Sequence, residues 1–281
     1  MKTIRTTCPY CGVGCGVLAS VDDAGRVSVR GDDQHPANLG RLCVKGAALG
    51  ETTGLAGRLL APEVDGQKVT WPQALAETAS RLQQVIDQHG PQAVAFYASG
   101  QLLTEDYYAA NKLMKGFIGA ANIDTNSRLC MSSAVTGYKR AFGADVVPCS
   151  YEDVENSDLV VLVGSNAAWA HPVLYQRLAQ AKRDNPRLQI VAIDPRRTAT
   201  CEIADRHLAL APGSDGGLFV GLLNALAQAG ACVDGFRDGA QALAEASGWD
   251  VAKVADFCGL AADEVAGFYR DFIAAPRAIT L

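Results

Sequence analysis

Four cysteines constrain this chain more than any other feature. Cys8-Pro9-Tyr10-Cys11-Gly12-Val13-Gly14-Cys15 has the spacing C-x2-C-x3-C, and Cys43 follows after 27 further residues. The surrounding segment, residues 1–57, is small, rich in glycine and loops, and poor in hydrophobic periodicity. Such a segment has little core of its own, and a bound metal centre supplies the missing stability. A cubane cluster needs four converging thiolates. One tight loop supplies three of them, its glycines leaving backbone N–H groups free for the sulfides, and the fourth returns from elsewhere. Structural zinc more often pairs one C-x2-C with a second. The three-plus-one grouping therefore favours a 4Fe-4S cluster on Cys8, Cys11, Cys15 and Cys43. Short strands are expected at Gly16–Val21 and Arg26–Arg30, joined by a turn at Asp23-Ala24-Gly25.

From about Gly54 to Thr70 the pattern reads as a linker, and residues 58–281 then alternate between helix and strand. Thr70 and Gln73 form a capping-box pattern ahead of a helix with Leu75, Ala79, Leu82 and Ile86 on one face, ended by Gly90-Pro91. Ala93–Ala98 reads as a buried strand leading into Ser99-Gly100-Gln101. Thr104 is the expected cap of a helix that stops near Gly119. The clearest unit runs from 158 to 194. It comprises a strand at Leu159–Val163, a loop Gly164-Ser165-Asn166, a helix from about Pro172 to Arg183, and a strand at Gln189–Ile193. This is a βαβ unit of the doubly wound type. A strand at His207–Leu210, a helix capped by Ser214 or Asp215, and helices near Val251–Phe257 and Asp263–Ile273 continue it. The fold class is thus α/β, a small loop- and β-rich cluster domain followed by a Rossmann-like region. Ala278-Ile279-Thr280-Leu281 looks like the opening of a buried strand, which suggests a longer protein.

The net charge of −5 offers no basic face for nucleic acid. No apolar run reaches the length of a membrane span. The cysteine motif begins too early for a signal peptide, and Arg196-Arg197 lies too deep to be an export signal, which points to the cytoplasm. In that compartment nine cysteines read as metal ligands plus buried thiols. Cys149, Cys201, Cys232 and Cys258 lack ligand spacing and are expected to be buried. The four histidines form no cluster, and His171 fits a helix start.

The runs TTCPYCGVGCGV, GRLCVKGAALGE and NSRLCMSSAV resemble the catalytic subunits of molybdenum bis-pterin oxidoreductases, and within them the assimilatory nitrate reductases. The likeness extends along essentially all of the chain. It implies a 4Fe-4S cluster and a molybdenum bis(molybdopterin guanine dinucleotide) cofactor. Read alone, Cys130 is more often a buried structural thiol than a metal ligand. The resemblance makes it a soft thiolate ligand to molybdenum. The resemblance also places Lys45 between cluster and pterin, where it couples them electronically; alone it is an ordinary surface lysine. Gln101, Asn126, the loop Gly164-Ser165-Asn166, the strand end with Asp194, Arg196 and Arg197, and Gly213-Ser214-Asp215 become cofactor contacts. Without the family these are polar loops, solvated charges and a helix cap.

The implied activity is reduction of nitrate to nitrite, with electrons supplied to the cluster by ferredoxin, flavodoxin or a flavoprotein partner. Two alternatives remain. Formate dehydrogenases of the same superfamily commonly carry histidine after the metal-binding residue, where this chain has Met131. A non-catalytic iron–sulfur relay subunit is the other, and the presence of Cys130, Asn126, Gln101 and Lys45 speaks against it.

Overall fold

The computed structural model of the chain describes residues 2–126, 131–232 and 238–281. Contacts divide it into two compact units, Met1–Met131 and Ser132–Leu281.

The first unit opens with an antiparallel meander of β1 (Lys2–Thr7), β2 (Gly16–Val21) and β3 (Val27–Gly31). β2 matches the expected strand. β3 starts one residue late, because the Asp22 carboxylate accepts from the N–H groups of Ala24 and Arg26, both at 2.9 Å, and holds Arg26 in the turn. β1 lies outside the expected strands. All six of its residues are exposed, so no apolar face marks it. It is a strand because it pairs with β2 in register, Thr7 opposite Gly16.

A short helix α1 (Val44–Ala47) follows. Within the expected linker, β4 (Glu63–Val64) and β5 (Gln67–Lys68) form a small hairpin. Asp65 and Gly66 have φ of 50° and 78°, the left-handed pair that a two-residue hairpin turn needs. α2 (Trp71–His89) has the expected capping box, with the Thr70 N–H donating to Gln73 Oε1 at 2.9 Å, and ends at Gly90. Only part of its expected apolar stripe is covered. Leu82 and Ile86 pack on a core of Val94, Met114 and Ala120, whereas Leu75 and Ala79 are exposed.

The strand expected at 93–98 shrinks to β6 (Phe96–Ala98), because Pro91–Ala93 form a 3-10 turn; of that stretch only Val94 is fully buried. α3 (Thr104–Asn111) is capped not by Thr104 but by Leu103, whose N–H donates to the Asp106 carboxylate at 3.1 Å. A π-helical stretch, Lys112–Ile118, carries the chain to Gly119, and β7 (Ile123–Thr125) pairs parallel with β6.

The second unit contains α4 (Ser132–Phe142), α5 (Tyr151–Glu155), β8 (Leu159–Val163), α6 (Ala167–Ala170), α7 (Pro172–Asp184), β9 (Gln189–Ile193), β10 (Arg206–Leu208), α8 (Asp215–Gln228), α9 (Gly239–Ala246), α10 (Val251–Cys258), α11 (Ala262–Ala274) and β11 (Ala278–Thr280). The strand expected at 207–210 begins at Arg206 and leaves the sheet after Leu208. The Ala211 N–H then donates to the Cys258 carbonyl of α10.

The sheet is entirely parallel, in the order β10-β9-β8-β11. Strand residues alternate between its two faces. Leu159, Val161, Val191 and Ile193 join Leu218, Leu222, Val254, Val265, Phe268 and Tyr269 from α8, α10 and α11. Val160, Leu162 and Ile190 join Val154 and Leu178 from α5 and α7. Both faces are covered, which is why β8 and β9 read as continuous apolar runs. Connections run from β8 toward β10 on one side and reach β11 on the other, so the order reverses between β8 and β11. In such sheets the crevice beyond the carboxyl ends at this reversal is the usual ligand site.

Candidate functional site

In the first unit the segment 8–15 is the tip of the β1–β2 hairpin. The Cys8 N–H donates to the Cys15 carbonyl at 2.8 Å and the Gly14 N–H to the Cys11 carbonyl at 3.2 Å. Gly14 has φ 63°, a left-handed bend that a side chain resists. Cys8 and Cys15 are buried, and Cys11 and Cys43 are half-buried.

The fourth cysteine is brought in by the segment 32–43. Asn38 is fully buried and ties that segment to the hairpin. Its Oδ1 accepts from the Gly16 N–H at 2.8 Å, and its Nδ2 donates to the carbonyls of Gly16 at 3.1 Å and Arg41 at 2.8 Å. Buried Asp32 pairs with Arg5 at 2.7 Å. The segment lies so close to β3 that a Cβ on Gly31 would come within 2.0 Å of the Gly40 carbonyl oxygen. Cys43 caps α1, its Sγ accepting from the Gly46 N–H at 3.4 Å.

Burial and then the neighbouring Cys11, Cys8 and Cys43 push the Cys15 thiol up to about 11. Cys15 therefore lies within electrostatic reach of the other three thiols. Among the described residues, no three His, Cys, Asp or Glu side chains close tightly enough to hold a single ion. Four soft donors grouped three and one, with a backbone N–H aimed at one sulfur, fit an iron–sulfur cluster.

Gln101 and Asn126 follow β6 and β7, so both leave the carboxyl ends of paired parallel strands. The Tyr107 hydroxyl holds the first of these loops, donating to the Ser99 carbonyl at 2.6 Å and accepting from the Leu102 N–H at 3.4 Å. The same loop borders the cysteine hairpin, where a Cβ on Gly12 would meet the Leu102 carbonyl oxygen at 3.4 Å. Lys45 is exposed, with its ammonium 4.8 Å from the Tyr10 ring centroid. Cys130 lies outside the described residues.

In the second unit the three expected cofactor segments leave the carboxyl ends of adjacent strands, Gly164-Ser165-Asn166 after β8, Asp194 to Arg197 after β9, and Gly213-Ser214-Asp215 beyond β10. Gly164, at φ 58°, starts the first turn while its N–H donates to the Ile193 carbonyl at 2.8 Å. Thr200 joins the first two loops, its hydroxyl accepting from the Ala168 N–H at 3.1 Å and donating to Asn166 Oδ1 at 3.4 Å. Asp194 is buried and braces its own turn by accepting from the Arg196 N–H at 2.8 Å; Arg196 and Arg197 are exposed. The Ser214 hydroxyl turns inward to the Ala211 carbonyl at 2.6 Å, leaving Asp215 exposed at the start of α8.

Asn38, Tyr107 and Thr200 carry no motif, and nothing in their local sequence marks them. Of the unassigned cysteines, Cys201 and Cys258 are buried, while Cys149 and Cys232 are only half-buried. His171 begins α7 through its backbone. No helix among the described residues is long and apolar enough to cross a membrane.

The first unit carries a thiol-rich hairpin and the second a parallel sheet with three loops at its carboxyl edge, features of a cofactor-binding iron–sulfur protein. Residues 1–53 match the family described as the molybdopterin oxidoreductase Fe4S4 domain, and residues 58–232 match the molybdopterin oxidoreductase family. The chain belongs to the molybdopterin oxidoreductases.

Among relatives, it is 80% identical to a nitrate reductase of Klebsiella oxytoca over 281 residues, covering 100% of this chain and 32% of that protein. It is 44% identical over 220 residues to a periplasmic nitrate reductase of Desulfovibrio desulfuricans, covering 76% of this chain and 29% of that one. The chain thus spans about a third of the length of the curated relatives it matches. The solved structure of acetylene hydratase from Pelobacter acetylenicus superposes with a TM-score of 0.81 at 22% identity, over 98% of this chain and 39% of that one, a likeness of fold.

Proposed function

We propose that this chain is the cluster-bearing part of a molybdenum enzyme that reduces nitrate to nitrite and water in nitrate assimilation in the cytoplasm. The observation that carries the reading is the hairpin's Cys15 lying among Cys8, Cys11 and Cys43 in a chain 80% identical to a nitrate reductase. Met131 after Cys130, in place of histidine, favours nitrate over formate.

Molybdenum held by two pterin dithiolenes supplies two-electron chemistry when bound. The chain's own part is to hold and orient. Cys8, Cys11, Cys15 and Cys43 would hold a 4Fe-4S cluster, which would supply one-electron transfer from a ferredoxin, flavodoxin or flavoprotein partner. Lys45 would place a positive charge beside that cluster, and Gln101 and Asn126 would help hold a pterin. Asn166, Asp194, Arg196, Arg197 and Asp215, with the backbone of Gly164, Ser165, Gly213 and Ser214, hold a guanine dinucleotide. Their loops leave the carboxyl ends of parallel strands, where backbone N–H groups and arginines suit phosphates. Cys130 supplies a thiolate to the metal.

The test is Cys130→Ala in the full-length protein, assayed with nitrate and with formate. Loss of nitrate reduction with the cluster retained is expected. Normal turnover with molybdenum bound would remove Cys130 from the site, and activity on formate alone would reverse the substrate.

A further inference from the structure

Tyr10 stands between two cysteines of the hairpin loop, and its ring takes the Lys45 ammonium at 4.8 Å from the centroid. Lys45 sits two residues after Cys43 in a helix of four residues, and its side chain is exposed. A free lysine in that setting samples many rotamers in water. Among the described residues Lys45 makes no ion pair that would hold it. The face of an aromatic ring attracts an ammonium and biases the side chain toward one arrangement, here by about two- to fivefold.

We propose that Tyr10 is a positioning residue that keeps the Lys45 ammonium over the cysteine hairpin. This rests on the reading of the four cysteines as cluster ligands and of Lys45 as the charge beside them. A cluster gains negative charge on reduction. A cation held nearby favours the reduced state and raises the midpoint potential. The ring itself needs no hydroxyl for this, so phenylalanine can replace it.

The experiment is a redox titration of the cluster, followed by electron paramagnetic resonance, in cluster-loaded full-length protein. Wild type is compared with Tyr10→Phe, Tyr10→Leu, Lys45→Ala and the double variant Tyr10→Leu/Lys45→Ala. Spin integration confirms one cluster per chain in each, and Tyr10→Met stands in if Tyr10→Leu does not load. The expected result is a wild-type potential in Tyr10→Phe and a lower one in Tyr10→Leu. Lys45→Ala lowers it at least as far, and adding Tyr10→Leu then changes nothing. An unchanged potential in Tyr10→Leu, or the same drop with and without Lys45, overturns the proposal. If Lys45→Ala itself leaves the potential unchanged, the reading of Lys45 fails and takes the proposal with it. A wild-type protein with no cluster signal would instead sink the assignment of the four cysteines.

Discussion

Asn38→Ala tests how the fourth cysteine is brought to the other three. The side chain is fully buried and makes hydrogen bonds at 2.8, 3.1 and 2.8 Å to Gly16 and Arg41. Gly16 adjoins Cys15, and Arg41 lies two residues before Cys43. Truncation leaves the Gly16 N–H without that acceptor in a buried place. The Gly16 carbonyl keeps a second partner, the Asp32 N–H at 2.9 Å. An orphaned buried N–H costs about 1–3 kcal/mol, and each of the two remaining bonds contributes about 1 kcal/mol net, so the local loss is at least about 3 kcal/mol. That corresponds to a roughly hundredfold increase in opening of the segment that carries Cys43. The assay is the rate at which cluster-loaded protein loses its visible charge-transfer absorbance to an iron chelator under anaerobic conditions. Loss should accelerate by one to two orders of magnitude, limited by how far opening controls release. Asn38→Asp should be at least as severe, because a carboxylate would face two carbonyl oxygens. If Asn38→Ala holds its iron as long as wild type, the claim that this side chain sets the spacing of the four thiols is wrong.

Thr200→Val keeps the shape and deletes the hydroxyl that joins the Asn166 and Thr198–Thr200 loops. It should cost about 1–2 kcal/mol and weaken retention of the pterin cofactor, with Thr200→Ser close to wild type. Equal cofactor content in the valine and serine variants would argue against that bridge. Asp158 is held below the usual carboxylate range by the paired hydrogen bonds of Arg277, which join the starts of β8 and β11. A depressed folded value means that the contribution is present above about pH 4 and is lost as pH falls through the folded value. Urea midpoints measured from pH 6 to about pH 3 should therefore fall less steeply in Asp158→Asn than in wild type; parallel curves would contradict the pairing.

The sequence announces its strongest local rules and hides its long-range ones. The C-x2-C-x3-C spacing and the apolar runs of β8 and β9 are readable because sulfur ligation and two-sided burial each impose a pattern on neighbouring residues. The capping box at Thr70 and Gln73 is readable for the same reason. β1 is not, because its pairing with β2 leaves all six side chains in water. The cap of α3 moves to Leu103 because the Asp106 carboxylate, not a side chain at the cap, satisfies the free N–H. The stripe on α2 is only half-used, since Leu75 and Ala79 are exposed. For the site, the candidate ligands could be read off one after another along the chain. What braces them could not, because Asn38, Tyr107 and Thr200 act on residues brought close by the fold and belong to no recurring motif.

The two faces of the parallel sheet differ in kind. One meets a broad core with Phe268 and Tyr269, and the other a smaller, wholly aliphatic one. A one-residue slip of β8 would exchange these surfaces, pressing residues shaped for one into the space of the other. The mismatch works like a key cut differently on its two edges, which enters in one orientation and to one depth. The Gly164 loop is thereby indexed from below, by packing far from any cofactor. Substitutions deep in either core should then surface as misplaced loops and weakened cofactor retention before the sheet itself gives way.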